Sequence, residues 1–545
     1  MNRFTFAIFS SAMILSSCSE SEPENNPNTP DVPTPPDVEE NGFVYRIDAT
    51  RAGTEISPYI YGLNVDYDFS HSKGDYATMV RFGGNRTTAF NWENNASNAG
   101  ADWRHSSDDY IARSMVKGSD GNKPGSVAAT FVTNCLANNQ TPLFTIPMCY
   151  SVAADKKGEV NDGDTSRWAN NLARKNSPFQ LTPDLTDKNV YADECVNYLT
   201  HVAGGPGKVL YCLDNEPDLW QSTHPRIVSS HVKCSDFLDR TIDFAEAIKD
   251  VDPLSTIFGF VSFGYSGFSS FSSAPDWNQI KSAGGYDWFI DYYLDRIARA
   301  SASKGKNLVD VLDLHWYPEA KGDNRINQST ANTDKDKAAR LQAPRSLWDD
   351  TYKENSWITN MSKYYLPLIP MLRKSIEKYN PGMKIAFTEF NYGGYEDITG
   401  TIALSEVLGI FGKYDIYAAN HWGSPGSYGE SAYMLYRNYD GKNSTFGNYC
   451  LVCNVNKSWQ NTGIFASATN ENMDEVHAIV TNKFADEKID GKFVITSAKQ
   501  YSRGVMYYVS EGSNEIKKGE EFAINGNSFR YSIPPMTVGH IIISQ

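Results

Sequence analysis

Two glutamates in this chain stand at the end of an apolar run, where a carboxylate is well placed to take part in a reaction. Glu216 closes the run 210–216 and is followed by Pro217, which interrupts the extended backbone. Glu389 closes the run 384–389 and is followed by Gly393 and Gly394, which permit a sharp turn. For the first run, the alternative is that its terminal polar residues only cap the next turn.

The two carboxylates together match the needs of glycosidic bond cleavage. One carboxyl group must protonate the leaving oxygen, and the other must meet the oxocarbenium-like carbon. Carboxylates on nearby strands of one barrel can be held about 5–5.5 Å apart, the spacing of retaining enzymes. The ionised partner then raises the pKa of the other and keeps it protonated as an acid. Asn215, next to Glu216, is suited to hydrogen-bond a sugar hydroxyl.

The elements that must position these residues read as strands alternating with helices, which predicts a (β/α)8 barrel. Helix-like segments include 235–249 and 365–378, the latter stopped by Asn380, Pro381 and Gly382. Glu216 and Glu389 would end strands four and seven, at the face where barrel active sites lie. The eight predicted strands are 60–64, 79–83, 143–147, 209–214, 256–261, 309–315, 384–389 and 416–422.

The pattern changes near residue 455, after which strands recur without a clear helix. The fold class is therefore predicted as α/β, a (β/α)8 TIM barrel over 57–455 with a small accessory β-sandwich over 456–545. The apolar run 43–47 is expected to add an N-terminal strand to the sandwich, within a segment 43–56. The predicted sandwich strands are 476–481, 492–497, 504–509, 521–524 and 539–544.

The N-terminus reads as a secretion signal over residues 1–17, too short to span a membrane. It ends in Leu15-Ser16-Ser17-Cys18, which resembles a bacterial lipobox and implies lipidation of Cys18; an ordinary signal with a chance cysteine is the alternative. Residues 18–42 hold seven acidic residues, no basic ones and six prolines, and are predicted to be a disordered linker. We therefore expect a secreted lipoprotein at the outer membrane or cell surface of a Gram-negative bacterium.

Composition narrows the class of partner. At 545 residues the chain can form one large and one smaller domain, and its net charge of −15 argues against nucleic acid. A neutral polysaccharide suits this charge and the 13% of aromatic residues. Cys450 and Cys453 form a lone C-x-x-C without a second pair, which disfavours a zinc site. The chemistry requires no metal or cofactor, and we expect a monomer.

Several motifs lie in order over residues 56–450, including Arg81-Phe82-Gly83-Gly84-Asn85, Asp214-Asn215-Glu216-Pro217, Asp313-Leu314-His315-Trp316-Tyr317-Pro318 and the Glu389 run. Together they resemble glycoside hydrolase family 44, a family of endo-β-1,4-glucanases and xyloglucanases. The resemblance implies a retaining mechanism on a barrel with a β-sandwich, with Glu216 as acid/base and Glu389 as nucleophile. Phe82 and Phe263 depart from the tryptophans usual in the family, which leaves the preferred glucan open.

With the resemblance in hand, further residues become candidates for the site. Arg81 is expected to hydrogen-bond the Glu389 carboxylate, or else to form a structural ion pair. His315 and Tyr317 are expected to orient Glu389. Trp348 and Trp422, and with less weight Trp92 and Trp220, are expected to stack on sugar rings, with plain packing as the alternative. The resemblance also allows a structural calcium, for which acidic loops such as 106–109 offer oxygens.

Two other readings of the function remain open. An endo-β-mannanase, glucomannanase or transglycosylase would share the same pair of glutamates and differ only in its subsites. A non-catalytic surface glycan-binding lipoprotein would keep the barrel but would need neither an acid nor a nucleophile.

Overall fold

The computed structural model describes residues 42–69, 76–361 and 364–545. The predicted signal peptide, the lipidated Cys18 and the linker up to residue 41 lie outside the described residues. In the part of the chain that is described, no helix combines the length and the apolar character needed to cross a membrane.

Eight parallel strands close into a barrel, as predicted, and follow one another around it in chain order. Each predicted strand is present, with ends that differ by a few residues. The strands are β1 Gly62–Asn64, β2 Met79–Phe82, β3 Thr141–Ile146, β4 Leu210–Leu213, β5 Ile257–Ser262, β6 Val311–Trp316, β7 Lys384–Phe390 and β8 Ala418–His421. Buried side chains such as Cys212, Val311 and Ala386 fill the interior.

Helices cover the outside of the barrel because their apolar residues recur with helical spacing. In Cys234–Val251, Phe237, Phe244 and Ile248 lie on the buried face. Leu368–Tyr379 ends at the predicted Asn-Pro-Gly stop. The α-helices are Tyr110–Met115, Ser126–Ala137, Ala192–Val202, Trp220–Thr223, Cys234–Val251, Tyr265–Ser270, Trp277–Gly284, Phe289–Lys304, Asp334–Gln342, Leu368–Tyr379, Ile398–Lys413 and Gly426–Arg437.

Shorter elements lie in the loops that follow the barrel strands, apart from one 3-10 helix, Pro58–Ile60, which precedes β1. Two small three-stranded sheets are formed by Ser97–Asn98, Ser106–Asp108 and Gly158–Glu159, and by Ser151–Ala153, Trp168–Leu172 and Asn189–Tyr191. The 3-10 helices are Pro58–Ile60, Asn85–Ala89, Gly100–Asp102, Gly118–Asn122, Thr165–Arg167, Pro217–Leu219, Ala343–Leu347 and Trp357–Asn360.

Besides the barrel, the chain forms a ten-stranded sheet with a hydrophobic core of its own. Its two ends meet across this core, since the Phe522 ring lies 4.8 Å from that of Phe529 and 5.1 Å from that of Tyr531. The sheet is thus folded over on itself. Its strands are Phe43–Asp48, Tyr449–Val455, Thr462–Ala468, Glu475–Asn482, Ile489–Thr496, Arg503–Ser510, Lys517–Lys518, Phe522–Ala523, Ser528–Ile533 and Thr537–Ser544.

The N-terminal strand joins this sheet, but the predicted boundary after residue 455 lies one strand too late. Phe43–Asp48 pairs with Tyr449–Val455 on one side and with Ile489–Thr496 on the other. Tyr449–Val455 therefore belongs to the sheet and not to the barrel. Its partner is about 400 residues away along the chain, and a local hydrophobic pattern carries no information on such pairing.

A buried ion pair joins the barrel to the sheet. Helix Ile398–Lys413 is buried along nearly its whole length, between the barrel and the sheet. From this helix Glu406 binds Lys483 of the sheet at 2.7 Å, with side chains only 2% and 1% exposed. Thr481 donates a hydrogen bond to the other oxygen of Glu406 at 2.8 Å.

Replacing Glu406 with glutamine is expected to destabilise the fold by about 3–5 kcal/mol, because it leaves the Lys483 charge buried and unpaired. The free energy of chemical unfolding measures this effect. Asp490→Asn is the matched control, since Asp490 pairs with Lys488 at 3.2 Å on the surface; solvent screens this pair, so its loss is expected to leave the free energy of unfolding nearly unchanged. Equal costs for the two variants would contradict a stabilising role for the buried pair.

Candidate active site

The fold brings Glu216 and Glu389 together at the carboxyl ends of the barrel strands. Glu216 lies in the turn after β4, and Glu389 is the last but one residue of β7. One carboxylate oxygen of each, together with a ring nitrogen of His315, lie within 4.8 Å of one another. The close approach expected of the two carboxylates is therefore present.

The Glu389 carboxylate is held at both oxygens. Arg81 on β2 donates from Nη1 to Oε1 at 2.8 Å, and the hydroxyl of Tyr317 donates to Oε2 at 2.6 Å. Arg81 is fully buried and Glu389 is 4% exposed, so water does not weaken this ion pair. Arg81 and Tyr317 thus take the places expected of them.

Glu216 has a different environment. Its side chain is 20% exposed, and its Oε1 lies 2.8 Å from Nδ1 of His315. Burial raises the pKa of Glu216 to about 7, with the charge of Arg81 acting in the opposite direction and that of Asp102 adding to the rise. Below this pH the carboxyl group is protonated, as an acid must be.

His315 lies between the two glutamates, so its ring contacts Glu216 as well as Glu389, the residue it is expected to orient. Its Nδ1 is 2.8 Å from Oε1 of Glu216 and 3.4 Å from Oε2 of Glu389. Burial lowers the pKa of His315 to about 3, so the imidazole is neutral at neutral pH. A neutral ring can hydrogen-bond a carboxyl group without supplying a competing charge.

The turn that carries Glu216 has a left-handed backbone, with φ of 67° at Asp214 and 48° at Glu216. Such conformations are costly and persist where surrounding contacts enforce them. Asp214 accepts hydrogen bonds from the hydroxyl of Thr88 at 2.7 Å and the indole of Trp220 at 3.1 Å. The N–H of Glu216 donates to the carbonyl of Val261 at 3.0 Å.

Asn215 binds protein groups through its oxygen. Oδ1 accepts from Nη2 of Arg81 at 2.8 Å and from the N–H of Gly84 at 3.1 Å. Its Nδ2 donates to no acceptor among the described residues. The amide hydrogens are thus the part of Asn215 that can meet a sugar hydroxyl, and Asn215 also anchors Arg81.

Of the predicted tryptophans, Trp422 lies at the barrel mouth. It follows β8, is 36% exposed and lies over Gly84, where an added Cβ would come within 2.5 Å of the ring. Trp92 is 2% exposed and packs on Tyr198 at 5.3 Å, and Trp220 is fully buried. These two rings are core residues and have no free face for a sugar, so the prediction for them is wrong.

The predicted stacking role of Trp348 is also wrong. Its ring packs against Trp459 at 4.9 Å and Tyr414 at 6.1 Å, with the ammonium of Lys413 5.5 Å from its centre. Lys413 and Tyr414 lie at the end of helix Ile398–Lys413, just before β8 begins. Trp348 therefore serves the junction between barrel and sheet.

Trp357 and Tyr265 were missed by sequence reasoning and line the site instead. They bound a pocket of about 160 Å³ beside Glu216, together with Phe263. The Trp357 ring is 41% exposed and meets Tyr265 edge-on at 5.7 Å. Trp348 and Trp357 belong to the same long loop after β6, and nothing in the sequence distinguishes which of them faces the cleft.

Acidic loops such as 106–109 offer oxygens for a structural calcium, which the resemblance allows, but the carboxylates there are already paired. Asp108 accepts from both terminal nitrogens of Arg86 at 2.7 and 3.2 Å, and Asp109 pairs with Arg113 at 2.8 Å. A second place has one buried carboxylate oxygen left without a partner in the described part of the chain. Glu194 is fully buried, and its Oε2 has no partner among the described residues.

Glu93 is the neighbouring carboxyl group at this second place. It is 3% exposed, and burial followed by the charge of Glu194 raises its pKa to about 8. Lys175 already binds the other oxygen of Glu194 at 2.6 Å. Carboxylate oxygens are the ligands that Ca²⁺ prefers, so Glu93 and Glu194 would be its residues here.

Comparison with known proteins finds similarity to one glycoside hydrolase family and to endoglucanases. The model of glycoside hydrolase family 44 matches residues 96–320. The chain is 44% identical over 517 residues to the β-mannanase/endoglucanase A of Caldicellulosiruptor saccharolyticus, covering 90% of this chain but only 38% of that protein. It is 42% identical to endoglucanase A of Paenibacillus lautus, covering 94% of this chain and 74% of the relative.

A solved structure agrees over the whole described fold. The family 44 xyloglucanase of Paenibacillus polymyxa, solved with xyloglucan, superposes with a TM-score of 0.87 at 42% identity. The match covers 92% of this chain and all of that one. Barrel and folded-over sheet are thus shared as a unit.

Proposed function

This chain belongs to glycoside hydrolase family 44, and we propose that it is a retaining endo-β-1,4-glucanase that hydrolyses xyloglucan or soluble cellulose derivatives by double displacement. The observation that carries the proposal is the approach of Glu216 and Glu389 within 4.8 Å in two different environments. Separate environments push paired carboxyl groups toward separate roles.

In the first step, Glu389 attacks the anomeric carbon while Glu216 gives its proton to the departing glycosidic oxygen. The raised pKa of Glu216, about 7, supports the role of acid. Arg81 and Tyr317 hold the Glu389 carboxylate for attack. In the second step, Glu216, now ionised, takes a proton from water, whose oxygen attacks the anomeric carbon and releases Glu389.

The stereochemical outcome is a testable prediction. Carboxyl groups of retaining enzymes stand about 5–5.5 Å apart, whereas inverting enzymes leave about 6.5–9.5 Å for a water molecule. The 4.8 Å limit here supports retention. We expect proton NMR of the earliest products to show the β-anomer, which later mutarotates. Initial release of the α-anomer would contradict the double displacement.

The substrate proposal rests on the relatives and on the aromatic pocket. The Paenibacillus polymyxa relative is a xyloglucanase, and the Caldicellulosiruptor relative carries a β-mannanase activity in its name. Initial rates on xyloglucan, carboxymethylcellulose and glucomannan would rank these polymers. A rapid fall of polymer length before small sugars appear would support endo action. Glucomannan as the best substrate would favour the mannanase alternative, and binding without any turnover would favour a glycan-binding protein.

We propose further that Cys18 carries lipid and tethers a monomer to the outer membrane. The support is the lipobox-like Leu15-Ser16-Ser17-Cys18 and the acidic residues that follow it. Incorporation of labelled palmitate into the wild type but not into Cys18→Ser would test the anchor, and protease shaving of intact cells would test surface display.

We propose that the reaction needs no metal and that any structural calcium is held by Glu93 and Glu194. The unpartnered Oε2 of Glu194 supports this place. Added calcium is then expected to raise the thermal midpoint of the wild type but not of Glu93→Gln. An equal rise in both proteins would reject the assignment.

A further inference from the structure

Glu389 occupies a position in β7 whose side chain would normally point away from the site. Side chains of a strand alternate between its two faces. Ala386 belongs to the barrel interior, and Phe387 points outward, where its ring stacks on Phe411 of the surrounding helix at 5.4 Å. Regular alternation would place Thr388 inside and Glu389 outside, among the helices.

A bulge at Thr388 changes this outcome. Leu314 of β6 pairs with Phe387 of β7, and the next residue, His315, pairs with Glu389. Thr388 is therefore an extra residue on β7. The pairing of β7 with β8 shows the same extra residue on β7. A bulge can re-aim a side chain next to an active site. Here Thr388 and Glu389 both face inward, and Phe390 again packs outward on Phe411 at 5.3 Å.

Two interior side chains bind the backbone of the bulged residue. Asp313 on β6 accepts the N–H of Thr388 at 3.1 Å through Oδ1 and its hydroxyl at 2.8 Å through Oδ2. Asn64 on β1 donates from Nδ2 to the carbonyl of Thr388 at 2.9 Å. Asp313 is fully buried and Asn64 is 7% exposed, so water cannot replace these bonds cheaply.

The same network continues to the nucleophile. The Oδ1 of Asn64 accepts from Nη1 of Arg81 at 3.0 Å, and that nitrogen also binds Oε1 of Glu389 at 2.8 Å. Bulge and carboxylate are therefore held from connected points on β1, β2 and β6. We propose that Asp313 is a positioning residue for the reaction: together with Asn64 it holds the Thr388 bulge that turns Glu389 into the barrel mouth. This inference rests on the proposed role of Glu389 as nucleophile.

The test compares variants in which the bulge loses one support. Asp313→Ala removes both acceptors, and a displacement of the nucleophile by about 1 Å is expected to lower kcat on soluble xyloglucan by roughly 30- to 100-fold. KM should stay within about threefold of the wild type, because the binding residues are untouched. Asp313→Asn keeps an acceptor for the N–H of Thr388, so this variant is expected to recover kcat to within about fivefold.

A second measurement separates positioning from general destabilisation. A 2-deoxy-2-fluoro-β-cellotriosyl donor with a dinitrophenyl leaving group traps the glycosyl ester on the nucleophile, and intact-protein mass follows its formation. We expect the trapping rate in folded Asp313→Ala to fall by the same factor as kcat. Asp252→Asn is the matched control, and its trapping rate should equal that of the wild type. Asp252 is 1% exposed and accepts a hydrogen bond from the N–H of Gly207 at 3.0 Å, at the far end of the barrel.

Thr388→Val keeps the shape of the bulged residue and loses only its hydroxyl, and we expect about a 3- to 10-fold slower trapping. This variant decides the case if Asp313→Ala does not fold. Trapping at the wild-type rate in Asp313→Ala, or in Thr388→Val if the alanine variant is unfolded, would overturn the positioning role. A wild type that carries no label on Glu389 would instead reject the proposed nucleophile, which is a different result.

Discussion

Glu389→Gln is expected to lower kcat/KM on every glucan substrate by about 10⁴-fold or more, since the amide cannot form the glycosyl ester. The fold should not change, because the amide oxygen of Gln can still accept from Arg81 while its NH2 group donates to the hydroxyl oxygen of Tyr317. Initial rates of reducing-sugar release, with circular dichroism as a check on folding, measure the effect. Glu377→Gln, an exposed change on helix Leu368–Tyr379, serves as the control and should match the wild type.

Rescue by a small anion makes this prediction specific to a nucleophile. In Glu389→Gly the space left by the side chain admits azide, which would attack the anomeric carbon of an activated aryl glycoside from the same face. The product expected is the α-glycosyl azide, whose anomeric configuration NMR reports. Activity of Glu389→Gln within about tenfold of the wild type would reject the assignment, because loss of a covalent nucleophile costs far more than that.

Glu216→Gln has the second largest expected effect, and its size should depend on the leaving group. General acid catalysis is worth about 10²–10⁴-fold, so hydrolysis of xyloglucan should fall by roughly 10³-fold or more. A dinitrophenyl glycoside leaves without a proton, and its first step should be nearly unaffected. An equal loss on both substrates would contradict the role of acid.

The pH profile offers an independent test of Glu216. Burial raises its pKa to about 7, and the group must be protonated to act, so kcat/KM of the wild type should decline as pH rises through about 7. Asp102 contributes to this raised pKa by its negative charge. Asp102→Asn is therefore expected to shift the alkaline limb to lower pH. In Glu216→Gln the limb should disappear. Retention of the limb in that variant would assign it to another group.

Much of the architecture follows from local sequence. Each barrel strand is a short apolar run, and each of the two glutamates stands where such a run ends, so their place at the carboxyl ends of β4 and β7 could be predicted. The helix stop at residues 380–382 is equally local, because Pro cannot continue a helix and Gly permits the turn. Such signals need no knowledge of distant partners.

Other features depend on contacts between distant segments. The sandwich boundary was misplaced because Tyr449–Val455 pairs with Phe43–Asp48 at the other end of the chain. Trp348 and Trp357 occupy one loop, and only the packing of Trp348 on Trp459 distinguishes the partly buried ring from the one at the cleft. The composition of a loop does not reveal which side chain its path leaves exposed.

The two glutamates show most clearly which features depend on local sequence and which depend on contacts between distant segments. The sequence by itself determined their identity, their strands and their chemical type. It did not determine that Glu389 faces the cleft, since strict alternation after Ala386 turns its side chain outward. That orientation was decided by the bulge at Thr388, which is held by Asp313 and Asn64 from other strands. Likewise, the raised pKa of Glu216 arises from burial, which exists only once the barrel has closed around it.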